Sequence, residues 1–219
     1  MAVITISRQY GSGGDQIAAR VCEILGYSMF DKNLMVQVAS EVGLSESEVV
    51  DLSEESYKMQ SFLDRLLGRR TVAKVKTWTQ DSTGAETLTV QELAEDHGRE
   101  LVRKTIVAAQ ERGNVLVLGR GGQAILREKP GVLHVRIAAP MGGRVLRIQE
   151  QEGLSREEAR RLARQKDRSA AEYLERFFHI EWDNPMLYHL MLNTGRWDIE
   201  AAAQIIVNAL SHLPRLSFS

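Results

Sequence analysis

The segment Ser7-Arg8-Gln9-Tyr10-Gly11-Ser12-Gly13-Gly14 separates an apolar run, AVITI, from the helical pattern DQIAARVCEIL, and its residue types suit an anion cradle. Glycines let backbone N–H groups curl around a phosphate, and the N-terminus of the helix that follows adds partial positive charge. Tyr10, Gly11, Ser12, Gly13, Gly14, Asp15 and Gln16 are therefore the candidate nucleotide-binding residues. The common phosphate-loop pattern, G-x-x-x-x-G-K-[S/T], uses its lysine on the outer phosphates and its hydroxyl on a metal ion. Here Gly14 stands at the lysine's place, no serine or threonine follows it, and Arg8 stands where the first glycine would. The missing charge has to come from elsewhere. Arg8 is the first candidate, because a guanidinium contacts two phosphate oxygens at once, and Lys32 is the second. Magnesium prefers oxygen ligands and retains several waters, which makes Ser12 and Asp15 its candidate partners and Asp31 a more distant one.

A second junction of the same kind follows the run VLVL, as Gly119-Arg120-Gly121-Gly122. A charge directly after a buried strand and between glycines has little structural purpose, so Gly119 and Arg120 are candidate substrate-binding residues. Asp31 and Lys32 close the short strand pattern YSMF; Asp31 reads equally as a ligand and as the N-cap of the helix that follows. The charged run REEARRLARQKDR reads equally as a solvated helix face with i,i+4 pairs.

These residues need elements to hold them. Hydropathy spacing predicts a strand before the glycine loop, a helix ending at Gly26, a strand at 27–30 and a helix after Asp31. A polar helical excursion over 45–85 opens with the capping-box pair Ser45 and Glu48. A helix over 90–112 leads to a strand at 114–118, a second at 132–137, helices over 141–152 and 155–178, a strand at 189–192 and a closing helix over 199–210. Trp182-Asp183-Asn184-Pro185 forms a turn before the last strand. Strands alternating with helices imply a parallel sheet covered on both faces, with ligands beyond the strands' carboxyl ends. The glycine loop, Asp31-Lys32, Gly119-Arg120 and Asn193-Thr194 all fall at or near such ends.

The chain has 219 residues, long enough for one buried core, and 28 Lys and Arg against 29 Asp and Glu. That balance gives no reason to expect a nucleic-acid or anionic-membrane partner. No apolar run approaches the ~20 residues of a membrane span, and the start carries no signal-peptide pattern, so a cytoplasmic protein is expected. The single cysteine, Cys22, lies on a helical apolar face and reads as a small hydrophobe. His179, His189 and His212 lack metal-ligand spacing. A possible homodimer would use the amphipathic stretch Phe62-Leu63-Leu66-Leu67, which is equally able to pack on the core.

The segments ITISRQYGSGGDQIAARVCEILGY, MFDKNL, VLVLGRGGQAIL, VLHVRIAAPMGGRVLRI, RQKDRSAAEYLERFF and YHLMLNTGRWDIEAAAQII together resemble the cytidylate-kinase-like branch of the P-loop nucleoside monophosphate kinases, in order and over nearly the whole chain. The resemblance implies an α/β P-loop NTPase fold of the adenylate-kinase-like type, a three-layer α/β/α core with a central parallel sheet. It implies one domain, with core segments 1–44, 86–152 and 186–219, the monophosphate-binding excursion 45–85 and a short lid region 153–185. The implied activity is transfer of the terminal phosphate of ATP, with Mg2+, to a nucleoside monophosphate, CMP or dCMP first. In that resemblance Gly11 to Gly14 take the place of the phosphate loop and Gly119-Arg120 looks like the pair that grips the monophosphate. Asp31 and Lys32 fall at the start of the monophosphate-binding helix. Arg164, Lys166, Arg168 and Arg176 are lid candidates that close over the transferring phosphoryl group, with Asp167 among them, and a lid arginine is a further stand-in for the absent lysine. Two other readings fit the changed loop: a nucleotide-binding regulatory module, and a kinase for another small-molecule acceptor.

Overall fold

The apolar stretch of the first strand ends at Ile6, yet the strand itself runs on to Arg8, because its neighbour keeps offering hydrogen bonds. In the computed structural model, which describes residues 2–30, 100 and 102–213, β1 (Val3–Arg8) pairs in parallel with β4 (Val132–Ala138) through Ser7 opposite Arg136 and Arg8 opposite Ile137. Arg8 is thereby the last residue of a strand, and its backbone is fixed before the glycine loop begins.

The other elements follow the expected order. Helix α1 (Gly14–Leu25) leads to the short β2 (Ser28–Met29), and a helical stretch over 102–112, α2, leads to β3 (Val115–Leu118). After β3 come α3 (Gly122–Ile125), β4, α4 (Met141–Glu152), α5 (Arg156–Phe178), a 3-10 turn at Pro185–Leu187, β5 (Leu190–Asn193) and α6 (Ile199–Ser211). The five strands form a parallel sheet in the order β2-β3-β1-β4-β5. The first strand is central, so the chain winds to one side through β2 and β3 and to the other through β4 and β5. The crevice between those two directions opens at the carboxyl end of β1. Asp31, Lys32, the excursion 45–85 and the stretch Phe62 to Leu67 lie outside the described residues.

Strand alternation divides the core. Ile4, Ile6, Leu116, Leu133, Val135 and Ile137 face α1 and α6, meeting Ile17, Ala18, Val21, Ala202, Ala203 and Ile206. Val3, Val115, Val117 and Val132 turn to the opposite face, against Phe30, Ile106, Ala109 and Leu126. Cys22 is half-buried against the first cluster, and burial pushes its thiol up to about 11, so it packs as an apolar group rather than ionising. The hairpin α4–α5 builds a third cluster from Val145, Ile148, Ala159 and Ala163, joined by Tyr10 from the glycine loop. Helix α5 starts with the capping box of Ser155 and Glu158, which satisfies two first-turn donors and places the helix start where the sequence pattern puts it.

On the second face the core turns polar toward the strand ends. Thr5 Oγ1 lies 2.7 Å from His134 Nδ1, and the His134 amide donates to His189 Nδ1 at 3.1 Å. Burial, and then the His189 imidazole, lower His134 from 6.5 to about 4. The folded state thus keeps His134 neutral while the unfolded chain binds a proton, so this contribution to stability is lost as pH falls from about 6.5 to about 4. Urea unfolding across that window is expected to show a loss of up to about 3 kcal/mol from this group. His134→Gln should flatten the pH dependence by that amount; an unchanged slope in the variant contradicts the assignment.

Candidate active site

The glycine loop is set by what holds its carbonyl oxygens. Gln9 C=O accepts from the Ser12 amide at 3.1 Å, Tyr10 C=O from Arg144 Nε at 2.7 Å, and Ser12 C=O from Thr194 Oγ1 at 2.6 Å. Gly13 C=O accepts from the Ile17 amide at 3.0 Å, and Arg147 Nη1 makes a long 3.5 Å contact to Gly11 C=O. Every carbonyl from Gln9 to Gly13 is occupied. The amides of Gly11, Gly13, Gly14, Asp15 and Gln16 meet no acceptor among the described residues, and the last three are the first-turn donors that an α-helix leaves unpaired. Carbonyls drawn outward and amides left unpaired make an anion nest. Gly11 and Gly13 adopt φ of 74° and 83°, which glycine alone reaches without strain. A Cβ on Gly11 would lie 2.9 Å from the Arg144 carbonyl oxygen, so α4 backs directly onto the loop.

Arg8 explains the glycine at the lysine position. A Cβ on Gly14 would lie 2.5 Å from Arg8 Cβ and 2.7 Å from its Cγ, so the arginine stem fills the space from which a side chain at residue 14 would start. The Arg8 stem and a side chain at residue 14 would therefore compete for one space. The guanidinium bridges the two glycine junctions. Its Nη2 donates to Asp15 Oδ1 at 3.0 Å, and its Nη1 would lie 2.7 Å from a Cβ on Gly119. Arg8 and Asp15 are 33% and 63% exposed, so this ion pair is a weak tether that an incoming phosphate can displace.

Behind Arg8, the Ser7 hydroxyl accepts from Arg136 Nη1 at 3.1 Å and Trp182 Nε1 at 2.7 Å. Arg136 is 1% exposed, stacks 3.8 Å over the Trp182 ring and pairs with Asp183. Asp183 therefore serves a strand arginine. Among residues that sequence reasoning passed over, Arg136 carried the clearest signal, a charge inside the apolar run VLHVRIA.

The second junction holds three consecutive left-handed residues, Gly119, Arg120 and Gly121, with φ of 72°, 55° and 71°. Arg120 pays a steric cost that glycine does not. Its Nη1 donates to the Phe30 carbonyl at 2.7 Å, with the guanidinium 5.6 Å from the Phe30 ring centroid. That places Arg120 at the end of β2, immediately before residues 31 and 32. Gly121 admits the Phe178 ring, which would come within 2.5 Å of a Cβ there, so the end of α5 packs on this junction.

The remaining candidates fall in different places. Arg164 and Arg168 line a groove of about 480 Å³ with Glu157, Arg160, Arg161 and Gln165, along one side of α5. Arg176 lies 5.4 Å from the Phe177 ring centroid and Lys166 lies 6.0 Å from that of Tyr10. Asp167 turns toward the loop, where one oxygen accepts from the Tyr10 amide at 3.0 Å and the other from Arg144 at 2.6 Å. Both oxygens being engaged, Asp167 faces the loop's own backbone rather than offering itself to a substrate, and the Tyr10 amide is not among the unpaired donors. The Tyr10 ring sits in the α4–α5 cluster, and burial together with Glu152 pushes its phenol up to about 12, so it stays a donor to Glu152 at 2.9 Å.

Polyphosphate fits the donors of the loop; a protein-held metal fits less well. Ser12 is fully buried, and its hydroxyl has no partner among the described residues. Asp15 is a single exposed carboxylate, and no group of three His, Cys, Asp or Glu able to hold a metal occurs among the described residues. A magnesium ion brought by substrate phosphates would find Asp15 as the exposed carboxylate beside the loop among the described residues.

The strand order and the glycine loop after β1 are those of the adenylate-kinase-like α/β fold. A solved structure, an uncharacterized protein from Eubacterium ventriosum, matches with a TM-score of 0.65 over 97% of this chain and 99% of that one, at 17% identity, a likeness of fold. The cytidylate kinase of Methanothrix thermoacetophila is 24% identical over 212 residues, covering 96% of this chain and 99% of that protein. The cytidylate kinase of Pyrococcus horikoshii is 32% identical over 123 residues; the match spans 56% of this chain and only 62% of that relative's length. No helix among the described residues is long and apolar enough to cross a membrane. Residues 3–196 match the cytidylate kinase-like family as a whole, and the chain belongs to that family.

Proposed function

We propose that the protein is an ATP-dependent kinase that passes the terminal phosphoryl group to a nucleoside monophosphate, CMP or dCMP first. The observation that carries this reading is the loop itself, with carbonyls occupied, five amides unpaired and the Arg8 guanidinium beside them. The likeness to relatives that are cytidylate kinases supports it. In the proposed reaction an oxygen of the acceptor's phosphate bonds to the γ-phosphorus as the bond to the β–γ bridging oxygen breaks, leaving ADP. Such a transfer asks for positioning and charge neutralisation more than covalent help. Bound Mg2+ would neutralise part of the charge on the outer phosphate oxygens.

The chain's own residues divide the remaining work. The amides of Gly11, Gly13, Gly14, Asp15 and Gln16 hold the donor's phosphates, and Arg8 takes the place of the absent lysine between donor and acceptor. Arg120, with Gly119, Asp31 and Lys32, grips the acceptor, while Arg164, Arg168 and Arg176 belong to the lid. The reading includes one domain with the boundaries drawn from sequence, a cytoplasmic setting and no nucleic-acid partner, with the stretch Phe62 to Leu67 packing either on the core or on a second copy. Nucleotide binding without efficient transfer is the second reading, favoured by the burial of the Ser12 hydroxyl, which leaves the loop no metal ligand of the usual kind.

Arg8→Ala is expected to lower kcat in a coupled ADP-release assay by about 100-fold or more, the usual consequence of removing one preorganised donor of transition-state charge. Gly14→Lys alone should abolish nucleotide binding through its collision with the Arg8 stem. Arg8→Gly combined with Gly14→Lys should recover binding, because the stem is gone; no recovery means that the two positions do not share one space. Arg120→Ala should raise KM for CMP about tenfold or more while leaving KM for ATP nearly unchanged, as expected for loss of a charge-assisted contact to one substrate only. Equal losses for both substrates contradict its assignment to the acceptor.

A further inference from the structure

The chain enters the anion loop at Tyr10, and a single charged pair holds both sides of that residue's backbone. The Tyr10 amide donates to Asp167 Oδ1 at 3.0 Å, its carbonyl accepts from Arg144 Nε at 2.7 Å, and Arg144 Nη2 donates to Asp167 Oδ2 at 2.6 Å. The contacts close a ring through one residue of the loop, one of α4 and one of α5. The Arg144 and Asp167 side chains are 3% and 19% exposed. The Tyr10 side chain points away into the α4–α5 cluster, so the residue is gripped at its backbone and at its ring by the same hairpin. One turn on from Arg144, Arg147 reaches the next carbonyl, that of Gly11, and also the Thr194 carbonyl at 3.1 Å.

A buried ion pair returns little net stability against apolar residues of similar volume, because desolvation offsets the attraction. What this pair supplies is direction. An apolar pair would fill the space but leave the Tyr10 N–H and C=O without partners, and the peptide units on either side would be free to rotate toward other ones. Such a rotation would swing the Gly11 amide away from the nest. We infer that Asp167 and Arg144 are positioning residues of the anion loop, which orient its amides for phosphate without themselves touching it. The inference rests on the nucleotide reading of the loop and gives α5 a second role, as a brace for the donor side.

The test uses inorganic tripolyphosphate as the probe. Arg144→Met combined with Asp167→Leu removes both charges at similar volume, and the variant should still fold cooperatively, with a melting temperature lowered only by the two Tyr10 backbone groups left without partners. The calorimetric Kd for tripolyphosphate should nevertheless rise about tenfold or more, the effect of one misplaced charge-assisted contact. Hydrogen exchange of the Ser12 amide, which neither residue touches, should accelerate in the same variant. Unchanged affinity together with unchanged Ser12 protection overturns the inference. Should the double variant fail to fold, Asp167→Ala, which removes the acceptor of the Tyr10 amide, is judged by the same two readouts. An unsubstituted protein that binds no tripolyphosphate removes the nucleotide reading, and Ser12 exchange then decides the clamp alone: acceleration upholds it, unchanged protection ends it.

Discussion

The orientation of the peptide units between Gln9 and Gly13 is the constraint from which the rest of the site follows. A glycine-rich turn has no fixed polarity of its own, since its carbonyls and amides are equally able to face a ligand. Here groups from three other elements take the carbonyls from Tyr10 to Gly13. Arg144 and Arg147 approach from α4 and Thr194 from the end of β5, while α1 takes the carbonyl of Gly13. The donors left over all belong to one concave stretch. A phosphate site therefore arises from contacts made on the far side of the loop, by groups that need not meet the ligand.

The sheet order brings the second half of the site to the first. Because β1 lies between β3 and β4, the glycine junction after β3 stands beside the one after β1, and Arg8 reaches it. Gly119 and Gly14 are both small for the same reason, the passage of one arginine between them. The buried cluster of Ser7, Arg136 and Trp182 fixes the residue just before Arg8. The Arg8 guanidinium is thereby held between the two glycine junctions.

Much of the architecture was legible because it rests on local patterns. The strand-loop-helix at the start, the buried strand before Gly119 and the helices over 141–152 and 155–178 follow from apolar spacing and helix-stop glycines. The strand end at Arg8 was not, since hydropathy stops at Ile6 and only the pairing of Ser7 and Arg8 with β4 carries the strand further. Arg144, Arg147 and Asp167 were hidden for a related reason. Charges at helical spacing read as a solvated face, and nothing local says that Arg144 is buried against a loop more than a hundred residues earlier in the chain. Asp167 was noticed through its arginine neighbours, yet its partners are the Tyr10 amide and Arg144, a tertiary fact. Ser12 is a residue whose burial no local pattern announces.

The account stands on unpaired amides in the glycine loop meeting phosphate. Its most direct measurement is a titration of the 15N-labelled protein with ATP, following individual backbone amide resonances. The account predicts that Gly11, Gly13, Gly14, Asp15 and Gln16 shift downfield and saturate together, as hydrogen bonds to an anion require. Saturable binding that leaves those five resonances in place, and moves only residues elsewhere in the chain, would contradict it.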